Sequence, residues 1–292
     1  MRLPLVGVSA LLLGLLPASA CTREVAPTPP ATTASPTSAA TTARPSSTRT
    51  PTRPDARRLD AALERVARQH PDSEVAVAWA PVGTKGRPHV VGDPTRLVAW
   101  STIKVPLALA VVRAGHGEEM TDDIDRALRA SDNEAATRLW ERLGGGSRAS
   151  EAVGTQLRRG GDRTTDVPAE VTVPGYSPFG QSSWALTAQT RFTAALPCLT
   201  GSASVTDAMG RVSDGQRWGL GGIRGARYKG GWGSTPGGYV VRQLGIVPGT
   251  KGDTAVTLQV RTGTHEQGTA IADELVAALR GHRDGLPVGT CR

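Results

Sequence analysis

The stretch that decides the reading of this chain is Ala99-Trp100-Ser101-Thr102-Ile103-Lys104-Val105-Pro106-Leu107. It follows a β-rich run and opens an apolar segment, Ser101 to Ala114, that reads as a buried helix. Ser101 therefore stands at the positive end of a helix dipole. Lys104, three residues on, lies one turn away on the same face. A serine hydroxyl is a poor nucleophile until a base takes its proton, and a lysine in an apolar, partly desolvated place can be that base. Alone, the pair also reads as a helix N-cap serine beside an unrelated surface lysine. Lysine is scarce here: of 34 basic residues only Lys85, Lys104, Lys229 and Lys251 are Lys. A chain so biased towards Arg points to a G+C-rich genome, and a Lys it keeps is one that Arg, which cannot release its proton, would not replace.

Working outward, Ser131-Asp132-Asn133 stands 30 residues later at an expected helix start, and Lys229-Gly230-Gly231-Trp232-Gly233 lies on an expected strand. Separately these are an N-cap and a Gly-rich bend. Around them, Arg57–His70 is an amphipathic helix, Glu74–Val82 a strand, and His89–Trp100 a second strand interrupted at Gly92-Asp93-Pro94. Thr121–Ala130 and Asn133–Leu143 are helices, and residues 147–184 read as irregular. Thr187–Leu196 and Ser204–Val212 are helical. Strands follow at Arg227–Trp232, Gly238–Val247 and Thr254–Arg261, the last two joined by a hairpin, and a helix at Gln267–Arg280 closes the chain. Consecutive final strands imply antiparallel pairing with a helical insertion lobe, an α+β class.

In this order and on these elements, the three motifs resemble the signature of the penicillin-recognising serine enzymes, and class A β-lactamases and related D,D-peptidases most closely. Leu186-Thr187-Ala188 before Phe192 is similar to the helix after that family's Ω-shaped loop, so the resemblance spans residues 57–281. It implies a five-stranded antiparallel sheet flanked by N- and C-terminal helices, with an all-helical lobe at about 115–222. It also implies roles. Ser101 would be acylated and Lys104 would be its base. Ser131 would relay a proton to the leaving nitrogen, and Asn133 would hold the substrate amide. Lys229 would attract a substrate carboxylate, the N–H groups of Ser101 and Trp232 would form an oxyanion hole, and Gly231 would keep the strand open to a ligand. The substrate would be a β-lactam or, for a D,D-peptidase, a peptidoglycan peptide, with no cofactor; a non-catalytic envelope protein of the same fold is the third reading, against which the intact Ser101, Lys104, Ser131 and Asn133 argue. Two departures stand out. Gly230 replaces the family's Thr or Ser, and Arg242 on the next strand is a candidate to restore the lost carboxylate contact. The family's deacylating Glu, with Asn four residues on, has no counterpart at the usual spacing. Glu170 is the candidate base, or else a solvated loop residue; Asp162 and Asp166 lie in the same loop without an Asn partner.

The chain ends set the context. Arg2, the apolar run Leu3–Leu16 and Ala18-Ser19-Ala20 read as a signal peptide over residues 1–20, and the run is too short for a membrane span. Cys21 then stands where a bacterial lipobox would place a lipidated N-terminus, although Pro17 and Ala18 depart from that pattern; an ordinary cut after Ala20 is the alternative. Residues 21–55 are Thr/Ser/Pro/Ala-rich and read as a linker that cannot bury enough apolar surface to order. The expectation is an exported protein, lipid-anchored at Cys21 in the actinobacterial envelope-lipoprotein manner or secreted, and a monomer. Residues 56–292 form the folded domain, with a net charge of about +5 once the tail's share of the total +8 is removed. The arginines are scattered without interleaved aromatics, which excludes a nucleic-acid face. No Cys/His spacing suggests a metal. Cys198 and Cys291, the remaining cysteines, are a disulfide or two buried thiols.

Overall fold

The computed structural model describes residues 52–291; the expected signal peptide, the expected lipidation site Cys21 and the expected linker up to residue 51 lie outside the described residues. Helix α1 (Arg53–Gln69) starts earlier than composition suggests, taking in residues 53–55 of the expected linker. The reason is local. Thr52 caps it by accepting the Asp55 N–H, and Pro54 sits in the first turn, where a helix needs no backbone donor.

Strands β1 (Glu74–Pro81) and β2 (His89–Gly92) follow, then a short β3 (Arg96–Val98). The helical block holds α2 (Lys104–Val111), α3 (Thr121–Arg129), α4 (Asn133–Arg142) and α5 (Gly146–Arg159). After a long loop come β4 (Ser183–Ala185), α6 (Leu186–Ala195) and α7 (Ser202–Met209). Strands β5 (Arg227–Thr235), β6 (Gly238–Pro248) and β7 (Asp253–Thr262) precede the last helix, α8 (His265–Gly281). The main sheet has the order β2-β1-β7-β6-β5 and is antiparallel throughout, so β5 is an edge strand. The α+β architecture is thus the one expected. No helix among the described residues is long and apolar enough to cross a membrane.

Two expectations are corrected. The run His89–Trp100 is not one interrupted strand. At Gly92 φ is 87°, and a Cβ there would run into Val75 O, so the chain turns out of the main sheet. Its continuation, β3, pairs instead with β4 in a separate two-stranded sheet. The stretch 147–184 is not irregular throughout either. Its first part is α5, which buries Ala149, Val153 and Leu157 at successive fourfold spacings.

Two apolar clusters organise the domain. One lies between the sheet and α1/α8 and includes Leu59, Leu63, Leu258, Leu275 and Leu279. The other fills the helical lobe around α2, with Leu107, Leu109, Leu128, Leu139 and Phe192. Every residue of α2 is buried, Lys104 included. Burial of each of its large apolar side chains contributes about 1.5–3 kcal/mol, which offsets the cost of holding an amine inside. Cys198 and Cys291 are disulfide-bonded, with Cα atoms 5.2 Å apart, and this joins the C-terminal tail to the end of α6.

Candidate active site

Ser101 lies in a 3₁₀ turn, Trp100–Ile103, that runs straight into α2. Only two non-glycine residues among those described have positive φ: Trp100 at 50° and Ser131 at 60°. Both line the same cleft. Such conformations cost of order 1–3 kcal/mol and persist where the surroundings over-determine them. At Ser131 the cause is visible. Asp132 caps α4, its Oδ1 accepting the Ala135 N–H at 3.0 Å. The backbone bend just before that cap turns Ser131 O to Lys104 (2.6 Å) and Ser131 Oγ to Lys229 (2.8 Å). The three sequence motifs therefore meet at one residue.

Lys104 is 1 % exposed. Its Nζ donates to Ser131 O, to Asn133 Oδ1 at 2.7 Å and to Asp132 O at 3.2 Å. Those three bonds saturate an ammonium; a neutral amine keeps two and presents a lone pair. Desolvation pushes Lys104 from 10.5 down to about 7, with the Asp132 carboxylate pulling the other way. Lys229 is equally buried, and donates to Ser131 Oγ and to Gly230 O at 2.7 Å. Burial drives it well below its ordinary value, and the nearby Lys104 charge adds to the push.

The cleft has a volume of about 580 Å³ and is walled by Trp100, Ser101, Ser131, Tyr176, Phe179 and Trp232, among others. Its floor depends on glycine. A Cβ on Gly231 would lie 2.8 Å from Ser101 N and 2.9 Å from Thr102 N, so only glycine lets β5 approach the nucleophile turn. Because β5 is an edge strand, alternate N–H groups on it face away from β6. A strand edge and a helix start at this separation can together present N–H groups to one oxygen. Across the cleft, Tyr176 Oη donates to Ser234 O at 2.7 Å, and the Tyr176 and Trp100 rings lie 4.7 Å apart. Tyr176 escaped the sequence reading because its loop shows no periodicity; the aromatic flanked by Gly175 and Ser177 was the available signal.

No family model matches the sequence, and no curated protein matches it. Solved structures do. The chain is similar to PenP of Rhodopseudomonas palustris, assigned to the class A β-lactamases, at 18 % identity and TM-score 0.58, covering 76 % of this chain and 99 % of that one. An ancestral class A β-lactamase of Gram-negative bacteria is 19 % identical with TM-score 0.57, covering 76 % and 99 %. The β-lactamase from Desulfarculus baarsii is 17 % identical with TM-score 0.55, covering 77 % and 98 %. The chain has the class A β-lactamase-like fold.

Within the β-lactamase-like fold, Ser101, Lys104, Ser131, Asn133 and Trp232 line one cleft, with Lys229 and Gly231 directly behind it. Arg242 is not part of it, which corrects its assignment as a carboxylate contact. It is fully buried, and its guanidinium donates to Leu97 O, Val98 O, Trp184 O and Gln189 Oε1. Burial lowers it to about 9. Through Gln189, whose Nε2 donates to Thr102 Oγ1 at 2.9 Å, it braces the residue after the nucleophile. Gly230 has no room for a hydroxyl: a Cβ there would lie 2.9 Å from the Trp218 ring. Glu170 is exposed and outside the cleft, with its backbone O accepting from Gln181 Nε2. Asp162 is buried elsewhere, accepting the Trp184 Nε1–H at 2.8 Å, and Asp166 is exposed. None of the described residues lining the cleft is a carboxylate, so Glu170 is not placed to serve as the deacylation base.

Proposed function

We propose that this chain is an exported serine hydrolase that forms an acyl-enzyme on Ser101 with β-lactams and releases it slowly. The observation that carries the reading is the meeting of three distant motifs: Ser101, Lys104 and Ser131 line one cleft, Lys229 behind it donates to Ser131 Oγ, and Lys104 is poised near neutrality. In the step this supports, neutral Lys104 takes the Ser101 hydroxyl proton, directly or through water, and Oγ bonds to the acyl carbon. The carbonyl oxygen takes up negative charge towards the N–H groups of Ser101 and Trp232. The carbon–nitrogen bond then breaks, and Ser131, held by Lys229, passes a proton to the leaving nitrogen while Asn133 holds the substrate amide.

Slow release follows from the cleft's composition. With no carboxylate among the described residues on its walls, water there lacks a general base, assistance usually worth about 10²–10⁴-fold. The same feature favours a second reading: a D,D-peptidase acting on cell-wall peptides, for which β-lactams are inhibitors. A chromogenic cephalosporin tests the proposal. The expected trace is a burst of about one equivalent followed by slow turnover. Rapid turnover without a burst overturns the slow-release part, and no reaction at all overturns the whole.

A further inference from the structure

On the side of the cleft where the leaving group departs, the expected anion contacts are missing one by one. Gly230 offers no hydroxyl, and the Trp218 ring fills the space a side chain would need. Arg242 is bound to three carbonyls and a side-chain amide behind the nucleophile turn. Lys229 is 1 % exposed, does not line the cleft, and gives its hydrogen bonds to Ser131 and Gly230 O. No arginine lines the cleft among the described residues, and its one lysine, Lys104, is committed to three acceptors. What replaces them is neutral: Gln216 and Trp232 line this side, with the Trp218 and Trp232 rings 6.2 Å apart.

Resting on the acyl-enzyme reading above, we propose that the leaving-group side recognises an uncharged group, so that the natural substrate is an acyl donor with no carboxylate beside its leaving atom: an internal peptide bond or an ester, not a chain-terminal residue. A carboxylate brought to this side would lose its water and meet amide and indole instead of paired donors, which is unfavourable. A neutral amide or ester gives up far less hydration there. The chemistry is the same for either leaving atom: the Ser101 Oγ–acyl bond forms, the acyl–nitrogen or acyl–oxygen bond breaks, and the hydroxyl proton ends on the departing atom. The buried Lys229, driven towards its neutral form, supports the same conclusion.

The test is a matched pair, benzylpenicillin and its methyl ester, which differ on the leaving side by one negative charge and one methyl group. Second-order rates of Ser101 acylation are measured for each by intact mass and divided by that compound's own rate of uncatalysed hydrolysis. The expected result is a ratio within about threefold of one, or in favour of the ester. A site built to pair a polar group discriminates against the analogue lacking it by about 10⁴–10⁵-fold. A ratio beyond about threefold in favour of the free acid overturns this inference while leaving the acyl-enzyme reading intact. No adduct with either compound overturns both.

Discussion

The pH dependence of acylation follows from the environment of Lys104. Desolvation brings this amine to about 7, so it is half neutral near pH 7. Its neutral fraction rises from about 0.1 at pH 6 to about 0.9 at pH 8, and an acylation rate set by that fraction rises about tenfold over the same interval, then levels off. A lysine left at its ordinary value would give a rate still climbing about tenfold per pH unit at pH 9. The assay is stopped-flow acylation by a chromogenic cephalosporin in the burst phase, with buffers spanning this range at constant ionic strength. Lys104→Arg removes the titration, because Arg keeps its proton; acylation should fall by about 10²–10⁴-fold and lose its inflection. A linear rise through pH 9, or an Arg variant that keeps most of the rate, refutes Lys104 as the base. The same shift acts on folding. The unfolded chain binds more protons here between about 7 and 10.5, so this group's contribution to stability rises with pH across that window, is complete above it, and is lost as pH falls through about 7.

Three further outcomes are expected. Gly231→Ala places a methyl 2.8 Å from Ser101 N and should depress acylation by at least about 10-fold, because backbone rather than a flexible side chain must move; an unchanged burst rate would show that β5 does not gate the turn. Reducing Cys198–Cys291, which are 93 residues apart, should lower the thermal midpoint by on the order of 10 °C, from a chain-entropy figure of about 4–5 kcal/mol, and equal midpoints with and without reductant would contradict this. Glu170→Gln should leave the slow phase untouched, since Glu170 is exposed and off the cleft; a slower phase in the variant would make it the base.

Elements with local signals were legible in the sequence. The alternation in Glu74–Pro81 and the hairpin between β6 and β7 carry their own turn and periodicity cues. The first two motifs could be placed because each sits at a helix start that the sequence marks, and the third because it lies within a segment that reads as a strand. Three things were hidden. Helix α5 is disguised by Gly146, Gly154 and its arginines, which dilute the stripe of Ala149, Val153 and Leu157. The β3–β4 pairing joins segments far apart in the chain, and nothing local to Leu97 or Trp184 announces the other. The direction of Arg242 depends on where carbonyls of three other segments end up, so residue type alone suggested a ligand contact where the fold makes a brace.

The most direct test of the central claim is an intact-mass time course of the mature domain with a penicillin, run beside Ser101→Ala. The account predicts one added penicillin mass per wild-type molecule, located on Ser101 by peptide mapping and persisting through the time course. It predicts no adduct on the folded Ser101→Ala protein, whose stability should be nearly unchanged because Ser101 caps neither the 3₁₀ turn nor α2. An unmodified wild-type protein, or an adduct that forms equally on Ser101→Ala, would contradict it.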